Sequence, residues 1–270
     1  MNDLITQFGE LSLDNVTSRR SALRRTGQIG LGAAIVALPF IRPGRASAQS
    51  MGSGDVAVLN YALTLEYLER AFYRKVEATN LVPANAKGLF TMLREDEEAH
   101  VTLLSGAISK AGGDPVDYTD EDFTFTPFLS SYANIATLAQ GLEDTGVRAY
   151  KGQAGAISNK DYLTVALQIH SVEARHAAAI RRLADSPAKQ GWIPRDQPGA
   201  PAAIAPVYAA GNGFPSEDNV TQGGVDLVNA FNGKGYTRDD ITEAFDEGLD
   251  KEAVLAIAGQ FITGKEGDGK

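Results

Sequence analysis

The chain has 270 residues, with 25 lysine and arginine residues against 34 aspartate and glutamate residues, and it contains no cysteine. The missing thiols exclude disulfide bridges, thiolate zinc sites, iron–sulfur clusters and a cysteine nucleophile, so any metal must bind to histidine, aspartate or glutamate. A formal net charge of −9 argues against binding to nucleic acid, because contacts to phosphates require a basic surface. The hydrophobic fraction of 43% indicates a globular protein.

The first 48 residues predict an export signal that is not part of the fold. Arg19 and Arg20 precede an uncharged, apolar stretch over residues 26–40, and a run of small residues ends at Ala48. The string Ser-Arg-Arg-Ser-Ala-Leu-Arg over residues 18–24 resembles a twin-arginine (Tat) signal. This resemblance implies export by the Tat machinery, cleavage after Ala48 and a periplasmic or extracellular location.

Removal of this signal changes the charge of the protein. The signal carries six arginines and three acidic residues, so residues 49–270 keep 19 basic and 31 acidic residues, a net charge of −12. The apolar stretch of the signal is shorter than the roughly 20 residues that cross a bilayer. We therefore expect no stable membrane span.

Four stretches of helical periodicity follow the signal. Apolar residues recur in them at intervals of three and four positions, with charged residues between. The stretches cover residues 55–80, 85–110, 130–157 and 159–184. Gly112, Gly113 and Pro115 end the second stretch, and Ser158 or Asn159 caps the fourth. The residues between the second and third stretches are predicted to form an ordered, long connection.

The C-terminal part of the chain has a different character. Residues 186–236 hold six prolines and many glycines, and short helical patterns return over residues 239–247 and 249–261. No stretch alternates long enough to predict a substantial sheet. We therefore predict an all-α protein with a signal, a four-helix bundle, and a mostly irregular extension with short helices. These three parts cover residues 1–48, 49–185 and 186–270.

Glutamate, tyrosine and histidine recur at matched offsets in the two halves of the bundle. From the first glutamate, the offsets are 7, 31 and 34 residues in one half and 7, 30 and 33 in the other. The residues are Glu66, Tyr73, Glu97 and His100 in the first half, and Glu143, Tyr150, Glu173 and His176 in the second.

The spacing of these residues suits a metal site. Residues three apart share one face of a helix, so each Glu-x-x-His pair can direct a carboxylate and an imidazole at one point. If each half folds as a helical hairpin, four carboxylates and two imidazoles meet in the interior of the bundle. Buried carboxylates require compensation, and two divalent cations would neutralise four of them.

Neighbouring residues compete for some of these positions. Glu69 lies one turn after Glu66, on nearly the same face. The spacing to the following tyrosine favours Glu66, with Glu69 as a surface partner of Arg70 or Arg74. In the second half, Asp144 points about 100° away from its neighbour Glu143, which favours the glutamate.

His170 raises a similar question, because it lies three residues before Glu173 on the same face. Packing is favoured over ligation for this histidine, although a contact near the metals stays open. The two repeated tyrosines, Tyr73 and Tyr150, are either core residues with a bonded hydroxyl or residues that lie next to the metals.

One glutamate from each of two helices and one Glu-x-x-His from each of the other two is the ligand arrangement of di-iron and di-manganese carboxylate bundles. Over residues 55–185 the chain resembles the ferritin-like superfamily. The strings at residues 63–69, 97–100, 244–246 and 255–258 look like its exported ferritin-like domain or desiccation-related branch.

The resemblance implies a ferritin-like four-helix bundle with a long crossover between its second and third helices. It also implies that Glu66 and Glu143 bind the metals terminally and that Glu97 and Glu173 bridge them.

Two functional hypotheses follow from the sequence. The leading one is an exported oxidoreductase that holds two iron or two manganese ions and acts on dioxygen or peroxide, like a ferroxidase or a manganese catalase, in oxidative or desiccation stress. The alternative is a non-catalytic, stress-related structural or cell-envelope protein with a stabilising or vestigial metal site. Glutamate and histidine suit both metals, so the sequence does not choose between them. We expect a monomer or a homodimer rather than an iron-storage cage.

Overall fold

The computed structural model describes residues 53–126, 128–183, 190–197 and 200–263. The expected signal segment, with its cleavage position after Ala48, lies outside these residues. Within the described ranges, no helix is both long enough and apolar enough to cross a membrane.

Four long helices form the bundle. They are α1 (Ser53–Thr79), α2 (Ala84–Lys110), α3 (Tyr132–Ala154) and α4 (Lys160–Arg181). α1 packs along α2, and α3 packs along α4. The apolar faces of the four helices build one buried core. The predicted fold class, an all-α four-helix bundle with an irregular extension, is confirmed.

Local chemistry explains where these helices begin and end. Asn80 adopts a left-handed backbone conformation with φ of 57° directly after α1, and Gly112 does the same with φ of 78° after α2. The side chain of Ser131 accepts a hydrogen bond from a backbone N–H in the first turn of α3. Asn159 caps α4 in the same way. Of the two N-cap residues considered for α4, Asn159 is therefore the one used.

A long crossover joins α2 to α3, as predicted. It contains two 3-10 turns, Asp120–Asp122 and Phe128–Ser130. Arg70 and Arg74 of α1 hold it in place, because their guanidinium groups lie 3.3 and 3.2 Å from the carboxylate of Asp120. The connection is therefore ordered by ion pairs to the bundle.

In the residues that the structure describes, the C-terminal extension contains only short elements. Its helices are α5 (Leu227–Ala230), α6 (Arg238–Thr242) and α7 (Lys251–Ala258), with 3-10 turns at Ala205–Tyr208 and Gly259–Phe261. β1 (Thr221–Gln222) and β2 (Val225–Asp226) form an antiparallel hairpin in the register Thr221↔Asp226. Gly223 and Gly224 connect the strands with φ of 58° and 82°, which two-residue hairpin turns of this type require.

Arg148 of α3 attaches the extension to the bundle. Its side chain is fully buried and forms an ion pair with Glu217 at 2.9 Å. It also donates hydrogen bonds to backbone carbonyls of the extension, including those of Pro215 and Gly248 at 3.1 and 3.0 Å. One helix residue thus binds segments that lie 67 and 100 positions further along the chain.

A second buried arginine reinforces the attachment. Arg181 in the last turn of α4 pairs with Asp144 of α3 and donates to the hydroxyl of Tyr208 at 3.1 Å. The hydroxyl of Tyr208 in turn donates to Asp144 at 2.7 Å. The bundle and the extension accordingly belong to one compact unit.

Candidate metal centre

The six residues predicted as metal ligands lie together inside the bundle. All are buried, with exposed fractions of at most 8%. They form two groups, within which one ligand atom of each residue lies within 4.8 Å of those of the others. The groups are Glu66, Glu97, His100 and Glu173, and Glu97, Glu143, Glu173 and His176. Glu97 and Glu173 belong to both groups.

In the first group, the carboxylates converge on His100. Its Nδ1 lies 3.0 Å from Oε2 of Glu66, 3.0 Å from Oε2 of Glu97 and 3.1 Å from Oε1 of Glu173. Three different helices, α1, α2 and α4, supply these four side chains.

The second group has the same design around His176. Its Nδ1 lies 3.0 Å from Oε1 of Glu97, 3.3 Å from Oε2 of Glu143 and 3.6 Å from Oε2 of Glu173. The two shared carboxylates, Glu97 and Glu173, therefore direct one oxygen toward each histidine. A pair of ions bridged by two carboxylates would require this division of oxygen atoms.

The donor atoms are poorly satisfied without a cation. Among the described residues, Oε1 of Glu97, Oε2 of Glu143, both oxygens of Glu173 and Nδ1 of His176 are buried and have no hydrogen-bond partner. One N–H cannot donate to three carboxylates, and buried acceptors without a donor destabilise a fold.

A cation at the centre of each group would resolve this imbalance. Metal–donor bonds of about 2.1 Å at right angles place neighbouring donors about 3.0 Å apart. This matches the distances of 3.0–3.1 Å from Nδ1 of His100 and the lower end of the distances of 3.0–3.6 Å from Nδ1 of His176. The chemistry of oxygen and imidazole donors suits divalent transition metals. The residues present therefore fit a pair of such ions.

The pKa values of the buried carboxylates also indicate that their negative charge requires compensation by a cation. Burial raises the pKa of Glu97 well above its usual value, and the charge of Glu173 raises it further. Burial also raises the pKa of Glu143 to about 7. At Glu173 burial acts in the same direction, but the close approach of the His100 and His176 imidazoles outweighs it and lowers the pKa to about 2.

The histidines respond in the opposite sense to their surroundings. Burial alone would lower the pKa of His100, but the charge of Glu66 and the hydrogen bonds that the imidazole donates to nearby carboxylates raise it. The pKa of His176 is raised for the same reasons, with Glu143 as the charged neighbour. Without a metal, the imidazoles therefore hold protons that partly neutralise the carboxylates, and a bound cation would displace those protons.

The two repeated tyrosines bond to carboxylates of the centre across the bundle. The hydroxyl of Tyr73 on α1 donates to Oε1 of Glu143 on α3. The hydroxyl of Tyr150 on α3 donates to Oε1 of Glu66 on α1. Each tyrosine thus orients a carboxylate of the other half of the bundle. The second oxygen of that carboxylate, Oε2, faces a histidine.

Asp96 contacts the candidate centre and is not among the residues that the sequence predicts for it. Its Oδ2 lies 3.1 Å from Nε2 of His176. An ionised carboxylate only accepts hydrogen bonds, so Nε2 is the donor and Nδ1 faces the carboxylates of the centre. A shift of 76 residues, which relates Glu97 to Glu173, places Val172 opposite Asp96. The search for recurring residues therefore could not reveal it, although its position directly before a Glu-x-x-His pair was a signal.

The prediction that Glu69 is a surface partner of Arg70 or Arg74 is wrong. Glu69 is only 3% exposed, and both arginines pair with Asp120 instead. Burial raises the pKa of Glu69 well above its usual value, and the charge of Glu173 is the next largest cause. Glu69 is therefore a fifth carboxylate in this part of the core, outside the two ligand groups.

His170 also lies outside both groups. It is half-buried, and its Nε2 has no hydrogen-bond partner in the described part of the chain. Burial lowers its pKa, and the charge of Lys151 lowers it further. A neutral histidine without a carboxylate partner agrees with the packing role favoured for it.

A comparison with models of protein families matches residues 54–186 to the ferritin-like domain family. The match covers just under half of the chain and includes all four long helices and all six residues of the two groups. No match to the chain was found among curated proteins. Residues 54–186 are therefore similar to a ferritin-like domain.

Proposed function

We propose that the protein binds two iron or two manganese ions and is an oxidoreductase that acts on dioxygen or peroxide. The observation that carries this proposal is the division of the oxygens of Glu97 and Glu173 between His100 and His176. Iron and manganese bound in this way can exchange electrons with oxygen species, which zinc cannot. The bundle contributes a buried site that excludes bulk water.

The chain's own residues have distinct roles in this proposal. Glu66 and Glu143 each bind one ion, and Tyr150 and Tyr73 hold these two carboxylates in position. Glu97 and Glu173 would each offer one oxygen to either ion. The catalytic contribution that we assign to the tyrosines is positioning, because their hydroxyls reach the carboxylates.

Elemental analysis of the purified protein tests the metal site. We expect two iron or manganese ions per chain. Glu97→Gln and Glu173→Gln should lower the affinity for both ions, whereas Glu66→Gln and Glu143→Gln should each affect one. Glu95→Gln is the matched control, since its side chain is 57% exposed and lies outside the centre. A protein without bound transition metal would overturn the proposal.

Turnover measurements distinguish an oxidoreductase from a non-catalytic structural protein. We expect the loaded protein either to oxidise Fe(II) with dioxygen or to decompose hydrogen peroxide, and Glu97→Gln to abolish the reaction. The alternative function is a stress-related structural or cell-envelope protein in which the ions only stabilise the bundle. Its support is the complete burial of the four carboxylates. Two bound ions without a turnover that depends on Glu97 would establish this alternative.

We further propose that the protein is exported by the Tat machinery to the periplasm or the cell exterior, where it serves in oxidative or desiccation stress. The basis is the sequence of residues 18–48. Cell fractionation should find a mature protein that begins at Gln49, and replacement of Arg19 and Arg20 by lysine should retain the precursor in the cytoplasm. A protein outside the cytoplasm that still carries residues 1–48 would contradict this proposal. Sizing chromatography should give a monomer or a homodimer.

A further inference from the structure

The two halves of the bundle correspond residue by residue. A shift of 77 residues carries Glu66 onto Glu143, and a shift of 76 carries Glu97 onto Glu173. Positions that differ between the halves therefore show where the surroundings of the two ions differ.

Aromatic rings fill the core beside Tyr73. The ring of Phe72 lies 5.1 Å from that of Tyr73, and the ring of Phe90 lies 5.9 Å from it. Both phenylalanines are at most 1% exposed. This end of the bundle is closed by close-packed rings.

The corresponding positions beside Tyr150 hold alanines. The same shifts carry Phe72 onto Ala149 and Phe90 onto Ala166. Two aromatic rings in one half are thus replaced by two methyl groups in the other. The missing volume predicts an opening next to Tyr150.

A cavity lies at this place. Its free volume is about 10 Å³, and Ala149, Ala166, Tyr150, Ala62 and Leu65 belong to its lining. The walls are almost entirely apolar. Tyr150 connects the cavity to the candidate centre, because its hydroxyl donates to Oε1 of Glu66.

We propose that this cavity, the alanine passage, is a site that binds dioxygen and admits it to the centre from one end of the bundle. The proposal rests on the proposed function, which supplies the reaction for dioxygen. The free volume is near the lower bound for one small molecule. Apolar walls accept a non-polar diatomic gas, whereas peroxide would exchange its hydrogen bonds to water for a cavity with few polar atoms.

The first experiment needs neither metal nor turnover. Dissolved dioxygen is paramagnetic and accelerates the NMR relaxation of nearby methyl groups. In the metal-free protein under dioxygen pressure, we expect at least a threefold larger effect at the methyls of Ala62 and Ala166 than at Val101, whose exposed fraction of 7% equals that of Ala62. Equal effects at these three residues would overturn the alanine passage.

The second experiment measures the rate at which the Fe(II)-loaded protein reacts with dioxygen. Ala166→Phe restores the ring that Phe90 supplies in the other half, and we expect it to lower the rate constant at least tenfold. Ala166→Val fills less space and should give a smaller loss, and it serves if the larger variant does not fold. Leu167→Phe is the control, because Leu167 directly follows Ala166 in the chain but is 47% exposed.

The outcomes separate this proposal from the proposed function. If both Ala166 variants bind as much iron as the wild type and react with dioxygen at the wild-type rate, the alanine passage is not the route by which dioxygen reaches the centre. If the iron-loaded wild-type protein consumes no dioxygen, the proposed function fails. The NMR measurement on metal-free protein then still decides whether dioxygen binds in the alanine passage.

Discussion

The hydroxyl of Tyr73 on α1 donates a hydrogen bond to Oε1 of Glu143 on α3, whose other oxygen lies 3.3 Å from Nδ1 of His176. This bond fixes the carboxylate that would bind the second ion. Partners of this kind typically change metal affinity by about 10- to 100-fold. We therefore expect Tyr73→Phe to lower the affinity for one of the two ions by about tenfold in a calorimetric titration with Mn(II).

Tyr61→Phe is the matched control for this change. The hydroxyl of Tyr61 is also buried, but it has no hydrogen-bond partner among the described residues. Its removal should leave both affinities unchanged. Equal affinities in Tyr73→Phe and the wild type would show that the bond to Glu143 does not position a ligand.

Asp96 makes the surroundings of His176 different from those of His100. It accepts a hydrogen bond from Nε2 of His176, whereas the corresponding residue in the other half is Val172. Asp96→Asn should lower the affinity for the ion at His176 by about 10- to 100-fold and leave the affinity for the ion at His100 nearly unchanged. Titration of this variant should separate two binding steps, and Glu95→Gln serves as control. Parallel weakening of both ions would contradict this assignment.

Metal uptake should depend on pH in a defined direction. Neighbouring carboxylates raise the pKa of His100 and His176, so both imidazoles are protonated near neutral pH in the metal-free protein. An ion must displace these protons, and its affinity should therefore increase with pH by about tenfold per unit for each proton released.

Calorimetry in two buffers with different ionisation enthalpies measures this release. His170→Gln should release as many protons as the wild type, because burial lowers the pKa of His170 and keeps it neutral. Uptake with no proton release, or an affinity that falls as pH rises, would contradict the protonation that we assign to the centre.

The helices and the ligand groups could be predicted because both have local signatures. Helical periodicity marks α1 to α4, and the Glu-x-x-His spacing puts two ligands on one helix face. The repeat in the two halves then paired Glu66 with Glu143. Asp96 escaped this reasoning because its counterpart, Val172, cannot accept a hydrogen bond.

Other features depend on contacts that no local pattern encodes. Glu69 lies on nearly the same face as Glu66, and the periodicity of α1 alone does not show how wide its buried face is. A Cβ at Gly146, the counterpart of Glu69, would lie 3.2 Å from Oε1 of Glu69. The absence of a side chain on α3 therefore makes room for the fifth carboxylate, and only the packed bundle shows this relationship.

Glu69 makes the metal-free protein sensitive to pH. Its pKa in the folded state is raised above the ordinary value of 4.5, first by burial and then by nearby carboxylates. The stability that its protonation provides is complete below pH 4.5 and is lost as pH rises through the folded-state pKa. Glu69→Gln carries no charge at any pH, so it should be more stable than the wild type at pH 8.

Unfolding by denaturant in the presence of a chelator tests this expectation. The difference between variant and wild type should grow with pH by up to about 1.4 kcal/mol per unit. Glu77→Gln is the control on the same helix, because its carboxylate is partly exposed in an ion pair with Arg94 and should contribute less than about 1 kcal/mol. A constant difference between pH 5 and pH 8 would contradict the role given to Glu69.

Arg148 should be essential for the attachment of the extension. Replacement by methionine leaves Glu217 buried without its ionic partner, and removal of one partner of a buried pair typically destabilises a fold by about 3–5 kcal/mol. Several backbone carbonyls would lose their donor at the same time. We therefore expect Arg148→Met to lower the free energy of unfolding by at least this amount and to expose the extension to proteases.

Arg238→Met provides the comparison, since Arg238 forms an exposed ion pair with Asp218 and should contribute no more than about 1 kcal/mol. Arg148→Lys should not restore stability, because an ammonium has three donors on one atom and cannot reach the carbonyls that a guanidinium spans. Replacing Glu217 by leucine in the Arg148→Met background should recover part of the loss, because it removes a buried carboxyl group that has lost its partner. An Arg148→Met protein as stable as Arg238→Met would show that the extension does not depend on the buried arginine.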